Sequence, residues 1–150
     1  MGDITESIAK ARILFLRGDE EWALLSRKNA EGMTKHGQLE MLGGHVEDGE
    51  EPLPCLIREL REEERSGALA DHVERLEPTY TAKTVDNSTH FMFEIRLPES
   101  EFSKLDPDPV ESIGFELIPV TELQAGVHWE DLTWRTKRIF EAFGLGSAPE

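Results

Sequence analysis

The pattern of hydrophobic and polar positions divides the chain into short strands and two helices. Residues 11–17 are mostly apolar and predict a strand buried on both faces, after a polar lead-in over 1–10. Residues 22–28 follow a turn and predict the second strand of a hairpin. Residues 89–97 alternate between apolar and polar side chains, which indicates a half-buried strand with its aromatic residues in the core.

The rest of the chain contains weaker signals. Shorter strands are predicted at 38–42, 78–85 and 111–120. A loop is expected at 29–37, and a proline-punctuated stretch at 98–109 is either a lid or a plain surface connection. Segment 69–77 has no clear type, and residues 131–143 predict a closing helix.

The clearest helical pattern follows two glycines and an acidic loop. Its apolar positions are Leu53, Leu56, Ile57 and Leu60. Prolines 52 and 54 fall in the first turn, where a missing N–H is harmless. Glu59, Glu62 and Glu63 stand at i, i+3 and i+4, so their carboxylates gather on one face and repel by about 0.2–0.5 kcal/mol per pair. This face is either a site for a hard cation such as Mg²⁺ or a solvated acidic surface.

Composition narrows the class of protein. A length of 150 residues predicts a single domain over 1–150. The net charge of -15 argues against a nucleic-acid polymer or an anionic membrane as partner. The single cysteine, Cys55, excludes an internal disulfide and is expected to be a core residue. Since no apolar run is long enough to span a membrane and no signal peptide is apparent, a cytoplasmic location is expected.

The spacing of charged residues around the acidic helix resembles the box of the Nudix (MutT-like) hydrolases. That box reads G-x5-E-x7-R-E-U-x-E-E-x-G-U, with U apolar, and every fixed position from Gly44 to Glu63 matches. The end of the box does not match, because Arg65 stands in place of its last glycine and Ser66 in place of its last apolar residue. Gly67 is predicted to end the helix two residues late. Residues 118–123 match a second, weaker family pattern, hydrophobic-Pro-x-x-E-L.

The resemblance implies an α/β fold, namely an α/β/α sandwich with a mixed β-sheet between helices. It also implies a metal-dependent enzyme that cleaves the pyrophosphate of a nucleoside diphosphate linked to another group. The expected cofactor is Mg²⁺ or Mn²⁺, the substrate is a small-molecule nucleotide, and a homodimer is one expected assembly. By position in the box, the implied metal ligands are the Gly44 carbonyl and the carboxylates of Glu59, Glu62 and Glu63.

Further roles follow from the same resemblance. Arg58 is expected to support the site by pairing with a carboxylate, with Glu50 as the candidate. Arg27 and Lys28 close a strand that the resemblance places near the pocket, and they are either a solvated strand end or candidates for binding substrate phosphate. The candidate catalytic residues are Glu59 and Glu63 of the box and Glu111, which opens a strand after a flexible loop. The general base stays open among Glu47, Glu59, Glu99, Glu101 and Glu111.

Two other functions compete with the hydrolase. A Nudix-fold module could sense a nucleotide without cleaving it, and Arg65 in place of the box glycine is the feature in its favour. The third hypothesis is a structural acidic protein whose match to the box is accidental, and the spacing of the box positions argues against it. The sequence leaves the substrate open among nucleoside triphosphates, nucleotide sugars, dinucleoside polyphosphates and coenzyme A.

Overall fold

The computed structural model describes residues 6–33 and 35–150. Within these ranges, seven strands form one mixed sheet and four α-helices lie against it. The strands are β1 (Glu6–Arg17), β2 (Glu20–Lys28), β3 (Leu39–Glu40), β4 (Leu42–His45), β5 (Tyr80–Val85), β6 (Ser88–Pro98) and β7 (Ser112–Pro119). The helices are α1 (Pro52–Glu63), α2 (Ala68–Leu76), α3 (Val120–Ala125) and α4 (Trp134–Phe143). Short 3₁₀ segments cover Glu99–Lys104 and Trp129–Asp131.

Strand β1 lies at the centre of the sheet. It pairs in parallel with β6 along its length, from Glu6 beside Ser88 to Leu16 beside Pro98, and β5 continues the sheet antiparallel to β6. On its other side β1 forms the predicted antiparallel hairpin with β2, and β7 pairs with the outer edge of β2. Beyond the hairpin the two strands diverge, and β4 pairs with β1 while β3 pairs with β2. The sheet is therefore split near this point.

Each face of the sheet has its own core. On one face, Ile13 and Phe15 of β1 pack with Leu56 and Leu60 of α1 and with residues of α2. On the other face, β1 and β2 contribute Leu14 and Leu25, which pack with Leu123 of α3 and with Ile139 and Phe140 of α4. Burying each such side chain stabilises the fold by roughly 1.5–3 kcal/mol. The predicted α/β/α sandwich is confirmed.

Several predicted elements need correction. The lead-in is shorter than expected, because β1 begins at Glu6, and residues 1–5 lie outside the described ranges. The untyped segment 69–77 lies almost entirely in helix α2, and the short helix α3 follows β7, so the described chain has four α-helices rather than the predicted two. Gly67 does not end α1, since α1 stops at Glu63 and Gly67, with φ 82°, begins α2. Within the described residues, no helix has both the length and the apolar character that a membrane span needs.

Two further differences concern the strands. The two glycines after 38–42 are part of strand β4 rather than a turn. The side of β6 predicted to face solvent is covered at one end, where His90 and Met92 are buried. The reason is that β1, β5 and α4 enclose this end of β6 on the second face. The stretch after β6 is ordered as a 3₁₀ segment, with Phe102 packed edge-on against Phe15.

Candidate active site

A cavity of about 590 Å³ opens where the sheet splits. Strands β1, β3 and β4, the glutamates of α1, the start of α4 and two loops contribute to its wall. Its acidic lining consists of Glu40, Glu59, Glu63 and Glu111, and its basic lining consists of Lys10, Lys28, Lys35 and Arg135. His45, Gln38, Thr133 and Trp134 also line it. A polar cavity with converging charges is the default site for a charged ligand.

Strand β4 allows α1 to approach closely because it carries two adjacent glycines. A β-carbon on Gly44 would lie 2.4 Å from the carboxyl carbon of Glu59. A β-carbon on Gly43, whose φ is +129°, would lie 2.1 Å from the carbonyl oxygen of Ala9. The N–H of Gly43 donates to Oε1 of Glu63 at 2.9 Å. The glycines therefore set two carboxylates of α1 directly on the strand.

Arg58 fastens the acidic loop to α1. Its Nε donates to Oε2 of Glu50 at 3.0 Å, and its Nη2 donates to Oε1 of the same carboxylate at 3.1 Å. Its Nη2 also donates to the carbonyl of His45 at 3.1 Å. The bidentate pair lowers the pKa of Glu50 to about 2. The predicted Arg58–Glu50 contact is present, and it connects the loop, the end of β4 and the helix.

Glu63 and Lys10 face each other at the bottom of the cavity. Glu63 is only 8% exposed, and this burial raises its pKa above the usual range of a carboxyl. The positive charge of Lys10 and the N–H of Gly43 oppose that shift. Burial in turn lowers the pKa of Lys10, whose Nζ donates to the carbonyls of Met41 at 3.2 Å and of Gly43 at 3.4 Å.

Glu59 also faces the cavity without full compensation of its charge. Burial raises the pKa of Glu59, and the neighbouring carboxylate of Glu62 adds to the effect. Arg58, 3.1 Å away, opposes the shift. Two desolvated carboxylates close to the backbone of Gly44 are the kind of oxygen donors that a hard divalent cation requires.

The oxygen ligands that the protein offers suit a cation that is also bound by water and by substrate. Among the described residues, no three acidic, histidine or cysteine side chains gather closely enough to hold a metal alone. Glu62 is drawn to Arg58 at 3.3 Å and does not line the cavity. Glu59 and Glu63 remain, and Mg²⁺ is usually held by one or two carboxylates together with waters and substrate phosphates. The residues present fit such an ion.

Arg27 and Lys28, which were predicted together, lie in different pockets because neighbouring residues of a strand point to opposite faces. Lys28 lines the cavity and lies 3.3 Å from Glu40. Arg27 lies in another groove, where Glu116 and Asp131 hold its guanidinium at 2.9 and 3.1 Å. The prediction that Arg27 binds substrate is corrected, because its charge is already neutralised away from the cavity.

Glu111 reaches the cavity from the loop before β7. The backbone N–H of Asn29 donates to its carbonyl at 3.2 Å, which holds this loop against the end of β2. Of the other base candidates, Glu47, Glu99 and Glu101 do not line the cavity. Cys55 is buried as predicted, and its burial raises the pKa of the thiol to about 12, which keeps it protonated.

Sequence reasoning missed several residues of the cavity, including three basic side chains and a tryptophan. Lys10 lies in the predicted lead-in, although it continues the strand pattern of 11–17 toward the N-terminus. Lys35 lies in a loop without a motif, and Trp134 and Arg135 lie within the helix predicted at 131–143, where no motif marks them. A helical wheel that begins at Thr133, a recognisable N-cap residue, would have placed Trp134 outside the apolar stripe.

The departure at the end of the box has a structural explanation in Glu64. Its carboxylate is 1% exposed and accepts hydrogen bonds from the N–H groups of Asp106 at 2.7 Å and Ser66 at 2.9 Å. The N–H of Arg65 donates to the carbonyl of Asp106 at 2.7 Å. The turn after α1 is therefore held by a buried carboxylate and by a second loop, in place of the usual glycine.

Comparisons with known proteins agree with this architecture. The family model described as NUDIX domain matches residues 8–142. A MutT protein from Methanosarcina mazei superposes with a TM-score of 0.58 at 16% identity, covering 96% of each chain. A Nudix hydrolase from M. smegmatis has a TM-score of 0.60 at 12% identity, covering 92% of this chain and 83% of that one.

A third solved structure is a C. elegans Ap4A hydrolase in a binary complex. It superposes with a TM-score of 0.55 at 13% identity, covering 79% of this chain and 82% of that one. A search of curated proteins finds no match. At these identities the solved structures show a shared fold, and the family model, which matches most of the sequence, shows the relationship. The chain therefore belongs to the NUDIX family of pyrophosphohydrolases.

Proposed function

We propose that this enzyme hydrolyses the pyrophosphate linkage of a nucleoside diphosphate attached to a second group, with Mg²⁺ or Mn²⁺ as cofactor. The observation that carries the proposal is the cavity, where Glu59 and Glu63 are desolvated beside the glycines of β4 and share the lining with four basic side chains. The carboxylates suit a divalent cation, and the basic side chains suit phosphate. A nucleotide with its cation would neutralise both kinds of charge together.

The proposed roles follow from position. Glu59, Glu63 and the carbonyl of Gly44 would hold the cation, which when bound neutralises phosphate oxygens and makes a water more acidic. Lys10 stands beside Glu63 and keeps that carboxylate closer to its ionised form. Lys28 lines the same cavity and would contact phosphate oxygens. Arg58 would act through Glu50, by holding the acidic loop in place.

Glu111 is the proposed general base. It is the one base candidate outside α1 that lines the cavity among the described residues. A base on a loop opposite the cation ligands can accept a proton from water while the phosphate lies between them. Glu59 remains a second candidate, since it also lines the cavity.

The test is a substrate panel with Mg²⁺ or Mn²⁺, scored for release of phosphate, pyrophosphate or nucleoside monophosphate. The panel includes triphosphates, nucleotide sugars, coenzyme A and, because one fold neighbour is an Ap4A hydrolase, Ap4A. Glu63→Gln should lose at least about a hundredfold in rate. Glu74→Gln, an exposed change on α2, is the matched control and should retain activity.

A second candidate function is a nucleotide sensor that does not hydrolyse. The observation in its favour is that, within the described residues, Glu62 stays with Arg58 and no three-carboxylate cluster forms. Turnover that is lost in Glu63→Gln would rule the sensor out. Nucleotide binding without turnover anywhere in the panel would favour it over the hydrolase.

A further inference from the structure

Almost every basic side chain of this protein has a partner within the chain. There are 31 acidic residues for 16 lysines and arginines, so carboxylates are abundant. Arg58 and Arg138, for example, each bind carboxylates, and Lys83 donates to a backbone carbonyl. Of the lysine and arginine side chains in residues 6–33 and 35–150, only those of Lys35 and Arg135 make no hydrogen bond or ion pair with another described residue. Both of them line the active-site cavity.

This coincidence is informative because of the charge balance. In a chain of net charge -15, carboxylates are available for every lysine and arginine. A basic side chain that pairs with none of them contributes no ion pair to the stability of the fold. Arg135 is half-buried on the first turn of α4 and lines the same cavity as Lys10. Burial lowers the pKa of Lys10 and of His90, and the nearby positive charge of Arg135 adds to both shifts. Cations gathered in this way repel one another, and an anionic ligand would remove that repulsion.

The same wall carries an exposed aromatic ring. Trp134 is the first residue of α4 and is 66% exposed, whereas Trp129 is buried in the core. The inner face of α4 buries Ile139 and Phe140, so Trp134 is not needed to pack this helix. A large exposed indole that lines a cavity offers a flat surface on which an aromatic ring can stack.

We infer that Lys35, Trp134 and Arg135 form a nucleotide subsite in this cavity. Trp134 stacks on the base, while Lys35 and Arg135 bind the phosphate chain. The ligand class is a nucleotide with an aromatic base and several phosphates, rather than a phosphorylated sugar or a base-free polyphosphate. This inference rests on the proposed function, in that it takes the cavity to be the substrate site.

The experiment measures binding instead of turnover. The probes are α,β-methylene-ATP, in which carbon replaces the bridging oxygen, and methylenediphosphonate, which has the anionic groups without a base. Both are titrated calorimetrically in Mg²⁺ against the wild type, Trp134→Ala, Trp134→Phe, Arg135→Ala and Lys35→Ala. Lys137→Ala is the matched control, because Lys137 lies on the same helix outside the cavity and pairs with Glu130.

The expected affinities distinguish the contribution of the Trp134 ring from that of the two positive charges. Trp134→Ala should weaken the nucleotide analogue by about 10- to 100-fold and leave methylenediphosphonate unchanged, and Trp134→Phe should restore most of the affinity. Arg135→Ala and Lys35→Ala should each weaken both probes about tenfold. Lys137→Ala should bind both probes like the wild type.

Three results would overturn the subsite. These are an unchanged affinity of Trp134→Ala for the analogue, an equal loss for both probes in that variant, and unchanged binding in Arg135→Ala and Lys35→Ala. The outcome is separable from that of the proposed function. If the pattern holds without any turnover in the substrate panel, hydrolysis fails and the subsite stands. If turnover requires Glu63 but binding ignores these variants, hydrolysis stands and the subsite fails.

Discussion

Replacing Glu64 with alanine should destabilise the protein strongly, although this residue occupies a variable position of the box. Its buried carboxylate accepts the N–H groups of Asp106 and Ser66 at 2.7 and 2.9 Å, and that of Leu69 at 3.5 Å. A hydrogen bond to a charged acceptor contributes about 1.5–3 kcal/mol. The two short bonds therefore predict a loss of about 3–6 kcal/mol, a large part of a typical stability of about 5–15 kcal/mol.

The measurement is urea unfolding of the wild type, Glu64→Ala and Glu64→Gln. Both short bonds go to Oε2, so the glutamine variant can keep them on its one oxygen, but as bonds to a neutral acceptor. Because bonds to a charged group are roughly twice as strong as neutral ones, it should lose about half as much as alanine. Glu62→Ala, an exposed change on the same helix, should shift the unfolding free energy by less than about 0.5 kcal/mol. If Glu64→Ala unfolds at the same urea concentration as Glu62→Ala, the buried carboxylate does not hold the turn.

Hydrogen exchange adds a local readout of the same change. The N–H of Asp108 donates to the carbonyl of Glu63 at 2.9 Å, so the turn after α1 and the loop leading to Glu111 form one unit. In Glu64→Gln, the amides of residues 106 and 108 should exchange faster than those of β1. Uniform acceleration across the protein would show global destabilisation without a specific effect on this loop.

Three other substitutions test the structure in different ways. Gly43→Ala should destabilise by about 3 kcal/mol or more in thermal unfolding, because its β-carbon would clash with the carbonyl of Ala9 at a positive φ. Gly44→Ala should keep most of the stability but weaken Mn²⁺ binding in titration calorimetry, since the new methyl displaces the carboxylate of Glu59; unchanged affinity would contradict this. His90 is 3% exposed, neither of its ring nitrogens has a hydrogen-bond partner among the described residues, and burial lowers its pKa from about 6.5. As the pH falls below about 6.5, the unfolded state takes up the proton first and wild-type stability declines, so His90→Leu should flatten the dependence of unfolding free energy on pH there.

Local periodicity explains which elements could be predicted. Helix α1, the β1–β2 hairpin and the aromatic side of β6 all carry strong patterns within a single stretch. Helix α2 was missed because it has only nine residues and begins at a glycine in the left-handed region, without a capping side chain. The start of β1 was missed because polar residues interrupt the apolar pattern there, and the strand is completed by pairing with β6, whose residues lie about eighty positions away.

The same distinction applies to the site residues: those that lie close together in sequence could be predicted, and those that only the fold brings together could not. The box predicted Gly44, Glu59 and Glu63, since a strand, a loop and a helix adjacent in sequence bring them together. Glu62 shares the helix face in sequence, but its contact with Arg58 turns it outward. Arg135 and Lys35 are a hundred positions apart, and they line one cavity because the start of α4 is held against β3 by the bridge between Leu39 and Leu132 and by the hydrogen bond from the N–H of Thr133 to the carbonyl of Leu39. Such a juxtaposition depends on tertiary structure and has no signature in the chain.

A protein with a large negative net charge can bind an anionic ligand because its charges are unevenly distributed. Most arginines and lysines are neutralised by carboxylates on the surface, so they neither attract nor steer a nucleotide. Lys35 and Arg135 are left for a ligand, and they line the same cavity as Lys10 and the carboxylates of Glu59 and Glu63. Because those carboxylates repel phosphate unless a cation is bound to them, a nucleotide should occupy the whole cavity only together with a divalent ion. The excess of acidic residues then acts as selection, since it disfavours anions that do not bring that ion with them.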